Sequence, residues 1–400
     1  MKGENGTCLH LPAQRPFFPA EYDPHLATLL LFPHSPESFI LPRAIVEFSS
    51  MVVALAVDGE ENVIVFFRPS VESLSEISMF WSAVDAECAR RGIERPGTNI
   101  YTAECDSDDT WARDTGPSFL IDPSTNSLTP VDWDFNAYGG PDEGCYWPCE
   151  KDKMICQVMC EVLSISPPSG FTKIPINPLI KPGLVLEGGS FHCDGEGTLI
   201  TTSECLLNPN RNPNLSQPQI EALLMETLNI AKIIWLPYGL YKDDDTNGHV
   251  DNFCCFLGPA HIAIAQSDDP SDPQYPITEA AVSVLEASTD AAGRTFKITT
   301  VPTPSKPLLL TEEEASLLKS SDSFVKRHAN ERMAASYINF YFANSAIIIP
   351  AFGDPNDEVA AEILAKACPS RKVISVPTRN ILIGGGNIHC QTQQVPKPKN

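Results

Sequence analysis

The residues best suited to chemistry lie near the end of the sequence, where a glycine triplet leads into a cysteine. Residues 384–390 are Gly-Gly-Gly-Asn-Ile-His-Cys, and they follow a short apolar run. Glycines allow a ligand to approach the backbone closely, so a thiol just after them can be presented to a small substrate. Cys390 is therefore a candidate nucleophile, although a structural cysteine at the end of a strand explains the same residues.

A catalytic thiol usually needs a histidine that is distant in sequence but close in space. His249 is the better candidate, in the segment Asp-Asp-Asp-Thr-Asn-Gly-His-Val-Asp-Asn at 243–252. On a strand, His249 and Asp251 would face the same side, which suits acid–base catalysis beside a carboxylate that binds a cation. His389 is the weaker candidate, because the neighbour of Cys390 on a strand would point away from it. A solvated acidic turn is the alternative interpretation of this segment.

Two groups of residues could indicate a metal site, and their spacing argues against both. The segment from Asp243 matches the first half of a calcium-binding loop, but its twelfth position, which must be a bidentate glutamate, is Cys254. Four cysteines lack the tight Cys-x-x-Cys spacing of most structural zinc sites: Cys145, Cys149, Cys156 and Cys160. The helical spacing of the last two favours buried, inert thiols. We therefore predict no metal site.

The strands and helices that must position these residues recur along the sequence as a repeat. Strand and helix patterns recur in the order β-β-α-β, in about five related units. Polar clusters lie near strand starts in four units, at 111–117, 187–190, 243–251 and 384–390. Units of this kind close into a ring or propeller that buries a shared centre. Equivalent positions then converge at one end, so we treat the four clusters as one site.

The expected element bounds follow from apolar periodicity and from capping and proline signals. The last unit is predicted as strands 337–343, 346–350 and 372–376 with a helix that begins after Asp354 and Pro355. Three units precede it. The first has predicted strands 115–121, 128–133 and 172–176 with helix 152–163, and the second has strands 184–186, 198–202 and 232–236 with helix 218–228, capped by Ser216. The third has strands 248–256, 261–265 and 296–301 with helix 277–287. The N-terminal unit fits more loosely, with strands 28–32, 62–67 and 99–102 and helices 43–56 and 71–91.

The sequence thus predicts a single α/β domain at 17–395, with a flexible tail at 1–16 and a short tail at 396–400. Lys and Arg number 28 against 51 Asp and Glu, a net charge of −23, which argues against a nucleic-acid surface. The N-terminus lacks the apolar stretch of a secretory signal, and the longest apolar runs are too short to span a bilayer. The 13 cysteines are then best explained as reduced thiols, so we expect a cytoplasmic protein.

Five motifs together resemble the agmatine deiminase (agmatine iminohydrolase) family of the guanidine-modifying pentein superfamily. They are Asp-Thr-Trp-Ala-Arg-Asp-Thr-Gly-Pro from 109, Leu-Glu-Gly-Gly-Ser from 186, Asn-Pro-Asn-Arg-Asn-Pro from 208, Asp-Thr-Asn-Gly-His-Val-Asp-Asn from 245 and Gly-Gly-Gly-Asn-Ile-His-Cys from 384. The resemblance runs from about residue 19 to 394, in the family's order. Tyr22 departs from it, since the family usually has Trp there, and so does Gln391, where an apolar residue is usual.

The resemblance implies a five-bladed ββαβ propeller around a central active site, which agrees with the repeat. It also implies hydrolysis of agmatine to N-carbamoylputrescine and ammonia, a step of putrescine and polyamine biosynthesis, without metal or cofactor. The expected partner is a small cationic guanidine, with no nucleic acid or membrane, and a homodimer is expected. The motifs also imply a role for each residue. Cys390 would be the nucleophile and His249 the general acid–base, with Glu187 orienting His249. Asp114 and Asp251 would bind the guanidinium, and Trp111 would line the substrate channel.

Three other functions fit parts of the same pattern. A deiminase of free or peptidyl arginine, or an amidinotransferase, would use the same fold and the same catalytic residue types. A pentein-like binding protein without activity is the alternative from another class. Such a protein would be expected to have lost the thiol or the carboxylates, and all of them are present here.

Overall fold

The computed structural model describes residues 15–70 and 73–398. In chain order its strands are β1 His25–Leu31, β2 Val63–Phe67, β3 Ile100–Glu104, β4 Ser118–Asp122, β5 Ser127–Val131, β6 Phe191–Cys193, β7 Thr198–Thr202, β8 Lys232–Leu236, β9 Cys254–Gly258, β10 His261–Gln266, β11 Lys297–Pro302, β12 Tyr341–Phe342, β13 Ala346–Ala351, β14 Lys372–Pro377 and β15 Thr392–Pro396. Of the two predicted tails, residues 1–14 and 399–400 lie outside the described part of the chain.

The helices alternate with these strands. They are α1 Leu41–Val53, α2 Ser73–Arg91, α3 Ala112–Thr115, α4 Gly140–Glu143, α5 Ile155–Ser164, α6 Ser203–Leu206, α7 Gln217–Leu228, α8 Gln274–Glu286, α9 Glu312–Leu317, α10 Asn356–Ala367, α11 Arg379–Leu382 and α12 Ile388–Gln391. A π-helical turn at Ala54–Asp58 extends α1, and single 3₁₀ turns occur at Asp152–Met154, Gly188–Ser190 and Val250–Asn252. No helix in the described ranges is long and apolar enough to cross a membrane.

Across the described residues the strands form five small sheets, and three of these share one topology. Their orders are β6-β7-β8, β9-β10-β11 and β12-β13-β14. In each, the first two strands pair antiparallel and the third pairs parallel with the second after an intervening helix. These sheets confirm the predicted β-β-α-β order for the last three units.

The other two sheets depart from that topology. One contains β4 and β5 alone, and the other has the order β15-β1-β2-β3, with β1 antiparallel to β15 and parallel to β2. The strand predicted at 172–176 was wrong, since that stretch forms only isolated bridges such as the one between Leu128 and Ile176. Pro175, Pro178 and Pro182 explain the difference, because proline lacks the N–H that a continuous ladder requires.

Several predicted strand starts were also wrong. The strand expected at 184–186 begins at Phe191 instead, and the one expected from 248 begins at Cys254, after a 3₁₀ turn. The strand expected from 115 begins at Ser118, because helix α3 continues to Thr115 and Pro117 follows. The strand expected at 337–343 shrinks to Tyr341–Phe342. Before β4, β6 and β9, therefore, the residues preceding the first strand form a single helical turn.

The better local predictions were confirmed. Strands β7 and β8 match their predicted bounds, and α7 begins after Ser216 in a capping box with Gln219. Helix α2 was predicted from residue 71, and residues 71–72 lie outside the described ranges. Between α1, α2 and the first sheet, the buried aromatic rings of Phe32, Phe48 and Phe80 contact one another edge to face. Such cores fix the sheets whose ends carry the polar clusters.

Candidate active site

One-turn helices that precede first strands bring the predicted site residues together. Helix α3 leads into β4, the 3₁₀ turn at Gly188–Ser190 into β6, the turn at Val250–Asn252 into β9, and α12 into β15. These turns carry or directly follow the predicted residues Asp114, Glu187, His249, Asp251 and Cys390. The residues before β12 occupy the corresponding place in the fifth sheet, and they include Asn339.

Cys390 and His389 lie in helix α12, so the strand assumed in the comparison of His389 with His249, and the strand end of the structural alternative, were both wrong. The side chain of Asn387 caps this helix by accepting from the Ile388 N–H at 3.0 Å. The Cys390 Sγ accepts a hydrogen bond from Asn339 Nδ2 at 3.1 Å and lies 3.5 Å from Asp251 Oδ2. Burial and the nearby charges of Asp251 and Asp114 raise the pKa of the thiol well above its ordinary range.

His249 and Asp251 converge at the backbone of Gly189 and not through strand alternation. A Cβ atom at Gly189 would lie 2.7 Å from His249 Nδ1, 2.8 Å from Asp251 Oδ2 and 3.0 Å from Asp114 Oδ1. Only glycine leaves room for all three groups at this point. The prediction placed His249 and Asp251 on the same side of a strand. The two side chains do lie close together, but a 3₁₀ turn and not a strand brings them there.

Glu187 lies beside the ring of His249, as the resemblance implied. Its Oε2 is 3.4 Å from His249 Nε2, and its Oε1 accepts from Arg211 Nε at 2.7 Å. Burial lowers the pKa of His249, but contacts with Cys205 and Glu187 and the charge of Asp114 outweigh it, so this pKa lies well above its usual value. Burial raises the pKa of Glu187, but the charge of Arg211 and the hydrogen bond and charge of His249 outweigh it and hold this pKa below its usual value.

Asp114 and Asp251 differ in how their oxygens are used. Asp114 Oδ1 accepts from the Gly189 N–H and Oδ2 from the Tyr138 hydroxyl, both at 2.8 Å. Asp251 Oδ2 accepts from His389 Nδ1 at 2.8 Å. Among the described residues, Asp251 Oδ1 and His249 Nδ1 have no hydrogen-bond partner although both are buried. Unpaired buried polar atoms are costly, so these two mark where a polar ligand is expected.

The environments of the two carboxyl groups shift their pKa values in opposite directions. Burial raises the pKa of Asp114, and the charge of Asp251 adds to this. For Asp251, burial also raises the pKa, but the hydrogen bond and charge of His389 outweigh it, and the pKa falls below its usual value. One carboxylate of the pair is therefore held ionised more firmly than the other in the empty site.

A cavity of about 450 Å³, open solvent at its mouth included, leads to the sulfur. Trp111, Asp114 and Cys390 lie in its wall, and the acidic residues Glu37, Asp109 and Asp245 line other parts of it. The indole N–H of Trp111 donates to Asp109 Oδ2 at 3.2 Å. A Cβ atom on Gly386 would lie 2.6 Å from the Trp111 ring and 3.0 Å from Cys390 Sγ, so the glycine keeps a narrow slot open between them.

The structure thus brings all six predicted residues into one region, and their assigned roles stay predictions. No hydrogen bond joins His249 to Cys390 within the described structure; His249 Nδ1 lies 4.0 Å from Asp114 Oδ1 instead. Asn339 was missed, and its position before the first strand of the fifth unit was the signal that could have found it. Arg211 was quoted within a motif but given no role. His389 contacts Asp251 and Glu21, a link that its sequence position did not indicate.

Two groups in the described ranges bring three metal-ligating atoms together: Glu21 with His192 and His389, and Glu187 with Cys205 and His249. In each group an arginine pairs with the carboxylate, since Arg113 lies 3.0 Å from Glu21 and Arg211 lies 2.7 Å from Glu187. A cation at either place would have to compete with that arginine charge. In the segment from Asp243, whose first half matches a calcium-binding loop, Asp245 pairs with Arg327 at 2.7 Å.

The small α/β sheets and the buried thiol among carboxylates are features of the deiminase class of enzymes. A sequence profile described as Porphyromonas-type peptidyl-arginine deiminase matches residues 17–396, and the chain belongs to this family. It is 43% identical over 383 residues to the agmatine deiminase of Pseudomonas fluorescens Pf-5, covering 96% of both chains. It is also 43% identical to that of Pseudomonas syringae pv. tomato, covering 95% of both.

Solved structures agree with the sequence comparisons. The agmatine deiminase of Enterococcus faecalis superposes with a TM-score of 0.82 at 31% identity, over 96% of both chains. That of C. jejuni superposes with a TM-score of 0.73 at 27% identity, over 96% of this chain and 98% of the other. The chain therefore has the α/β fold of the agmatine deiminases of the pentein superfamily.

Proposed function

We propose that this protein hydrolyses a guanidinium C–N bond of agmatine and releases N-carbamoylputrescine and ammonia. The observation that carries the proposal is the 43% identity to agmatine deiminases over 96% of the chain. The product chemistry belongs to putrescine and polyamine biosynthesis. The buried thiol, histidine and carboxylates described above support the proposal.

Guanidinium binding is assigned to Asp114 and Asp251. A guanidinium is a flat cation whose N–H groups match carboxylate oxygens in pairs. Asp251 Oδ1 has no partner among the described residues, so it is free to accept such a hydrogen bond. Two carboxylates on different elements would hold the central carbon beside the sulfur, and fixed orientation of this kind accounts for a large share of catalysis.

The first chemical step forms a bond between Cys390 Sγ and the guanidinium carbon. The nucleophile is the thiolate, and the charge of the bound cation favours loss of the thiol proton. Addition gives a tetrahedral adduct. Protonated His249 then donates a proton to one amino group, ammonia leaves, and an amidino-thioether cation remains on Cys390. The raised pKa of His249 supports this role as the acid.

The second step is hydrolysis of the amidino-thioether. His249, now neutral, takes a proton from water while the oxygen bonds to the amidino carbon. The new adduct expels the Cys390 thiolate as a protonated urea, which loses its extra proton to solvent and becomes the ureido product; that proton converts the ammonia released in the first step to ammonium. The thiolate and the protonated histidine are both restored, so charge and atoms balance over the cycle. Glu187 is assigned to hold the ring of His249 throughout.

Agmatine fits the cavity better than arginine because of the charge of its lining. Glu37 and Asp109 contribute carboxyl groups, and Asp245 and Arg327 pair with each other so that their charges offset. An acidic lining attracts the ammonium end of agmatine and disfavours the α-carboxylate of arginine. Peptidyl-arginine hydrolysis is the second candidate, favoured by the description of the family profile.

The test is ammonia release from agmatine, free arginine, peptidyl-arginine and dimethylarginine under the same conditions. We expect agmatine to give by far the largest kcat/KM, and Cys390→Ala to abolish turnover while the circular dichroism spectrum stays unchanged. Greater activity on peptidyl-arginine would transfer the proposal to the second candidate. Substantial turnover by Cys390→Ala would contradict the covalent mechanism.

We further propose an overall architecture, a set of excluded partners, a cellular location and an oligomeric state for the protein. Five sheets with polar residues before each first strand support a five-bladed propeller in one domain at 17–395. The net charge of −23 supports a protein that binds neither nucleic acid nor anionic membranes. The homodimer rests on the family resemblance, and the cytoplasmic location rests on the reduced thiols expected for the 13 cysteines. Light scattering tests the dimer, and fractionation of cells tests the location.

A further inference from the structure

Next to Asp251, a buried chain of polar contacts has no part in the steps above. His389 Nδ1 contacts Asp251 Oδ2 at 2.8 Å, and His389 Nε2 lies 2.9 Å from both oxygens of Glu21. All three residues are at most 4% exposed. Ionised carboxylates only accept hydrogen bonds, so a ring that contacts one on each nitrogen must donate from both. His389 is therefore an imidazolium.

Glu21 is held firmly from its other side. Arg113 Nη1 lies 3.0 Å from Glu21 Oε1 and also donates to Gln394 Oε1 at 2.6 Å. His192 Nε2 lies 3.3 Å from Glu21 Oε2. Although burial raises the pKa of Glu21, the charges of Arg113, His389 and His192 bring it well below its usual value. Glu21 is thus a fixed anion against which the ring of His389 is oriented.

The contact with His389 decides which oxygen of Asp251 is available. Oδ2 is occupied by the ring and lies 3.5 Å from Cys390 Sγ, while Oδ1 has no partner in the described part of the chain. Rotation of the carboxylate would exchange the two oxygens, and the 2.8 Å hydrogen bond from His389 Nδ1 opposes it more strongly than the longer contact from the Cys390 thiol. A carboxylate that must clamp a planar cation loses much of its effect when its orientation is free.

We propose that His389, anchored by Glu21, is a positioning residue that holds Asp251 with Oδ1 toward the guanidinium and offsets its charge beside the thiol. The inference deepens the proposed function and rests on it. Burial and the charge of Arg113 lower the pKa of His389, but Glu21 and Asp251 outweigh them and raise it. The charged or titratable groups that contact the ring or its anchor are Asp251, Glu21, Arg113 and His192.

Two near-isosteric variants separate the contacts of the ring. In His389→Asn the amide nitrogen can take the place of Nδ1 and still donate to Asp251. In His389→Gln the amide reaches the place of Nε2, toward Glu21, and the bond to Asp251 is lost. We expect kcat/KM for agmatine to stay within about tenfold of the unmodified enzyme for Asn and to fall about 100-fold for Gln, mostly in kcat. Equal activities in the two variants, high or low, would overturn the proposal.

A second readout does not require the substrate. The rate at which iodoacetamide alkylates Cys390 reports the thiolate fraction, and the charge of Asp251 suppresses thiolate formation. Loss of the imidazolium leaves that charge unbalanced, so the pH midpoint of alkylation should rise by about one unit in His389→Gln. An unchanged midpoint would contradict charge balancing. Circular dichroism and thermal melting identify variants that fail to fold.

Glu21→Gln provides the test if His389→Gln prevents folding. It keeps an acceptor for His389 Nε2 but removes the anion that raises the pKa of the ring. The basic limb of the pH profile of kcat/KM should then move to lower pH, and an unmoved limb would count against the proposal. Absence of agmatine turnover in the unmodified enzyme would instead refute the proposed function, while the alkylation experiment would still test the positioning of Asp251.

Discussion

At the scale of single residues, the surroundings of Cys390 keep its thiol protonated while the site is empty. Burial contributes most, and the charges of Asp251 and Asp114 add to it. Hydrogen bonds from the Asn387 backbone and the Asn339 side chain stabilise the thiolate only in part. A cation between the two carboxylates cancels the charges that oppose ionisation. If Asp114 and Asp251 bind the guanidinium as proposed, we expect the substrate to favour ionisation of the thiol proposed as the nucleophile.

The raised pKa of Cys390 predicts how the free enzyme reacts with alkylating reagents. A raised thiol pKa means little thiolate at neutral pH, so alkylation by iodoacetamide should be slow at about pH 7 and still increase above about pH 9. Mass spectrometry of the Cys390 peptide across this range measures the rate, with Cys390→Ala as background. A rate that reaches its plateau below about pH 8 would show that the thiol is activated before substrate binds.

At the scale of elements, the site depends on one-turn helices whose backbones nearly touch. The added-atom distances at Gly189 and Gly386 show that neither position accepts a methyl group without displacing a functional side chain. Glycine is required at both for close approach, because neither has a positive φ. The slot between Trp111 and Cys390 is therefore as much a property of the backbone as of the side chains.

Gly386→Ala should close that slot. The new methyl group would lie 2.6 Å from the Trp111 ring and 2.9 Å from Cys390 Cβ. We expect a loss of about 100-fold or more in kcat/KM, from misplaced groups, and a cost of about 1–3 kcal/mol in folding free energy from overpacking. Kinetics and chemical denaturation measure the two effects. Gly258→Ala is the matched control, since nothing lies within 4 Å of its Cβ, and it should leave both quantities nearly unchanged.

The elements also show what local sequence could and could not predict. Helix α7 was predictable because Ser216 and Gln219 form a capping box within four residues. The turn at Val250–Asn252 was not, because the apolar residues from 253 onward extended the strand pattern backward over it. The six site residues came from motifs, whereas Asn339 and the pair His389–Glu21 depend on contacts between distant segments. No periodicity within a segment encodes such contacts.

At the scale of the whole molecule, the net charge of −23 is opposite to that of the proposed substrate. Agmatine carries a guanidinium and an ammonium group, so long-range attraction should raise its local concentration at the acidic cavity. The fold class was predictable from repeated patterns, but this combination of a negative surface and a negative cavity required the structure.

Salt should therefore slow the capture of agmatine. Screening shortens the reach of the field to about 8 Å at about 0.15 M ionic strength, so kcat/KM should fall severalfold between about 0.02 and 0.3 M salt. Because the chemical step occurs in a buried site, kcat should change much less. Steady-state kinetics in NaCl, with sucrose of matched osmolarity as control, measures both. A kcat/KM that ignores salt would rule out electrostatic capture.

The pairing of β1 with β15 ties the earliest described strand to the latest one. Cys390 comes immediately before β15, and the elements that contribute Asp114, Glu187, His249, Asp251 and Asn339 are all synthesised earlier. A ribosome must therefore translate nearly all of the described chain before a site can exist. A stop codon before residue 390 gives a product without Cys390, the proposed nucleophile, and without β15, which pairs with β1 in the first sheet. We therefore expect chains that stop before this point to be inactive, so that activity appears only after β15 has been translated.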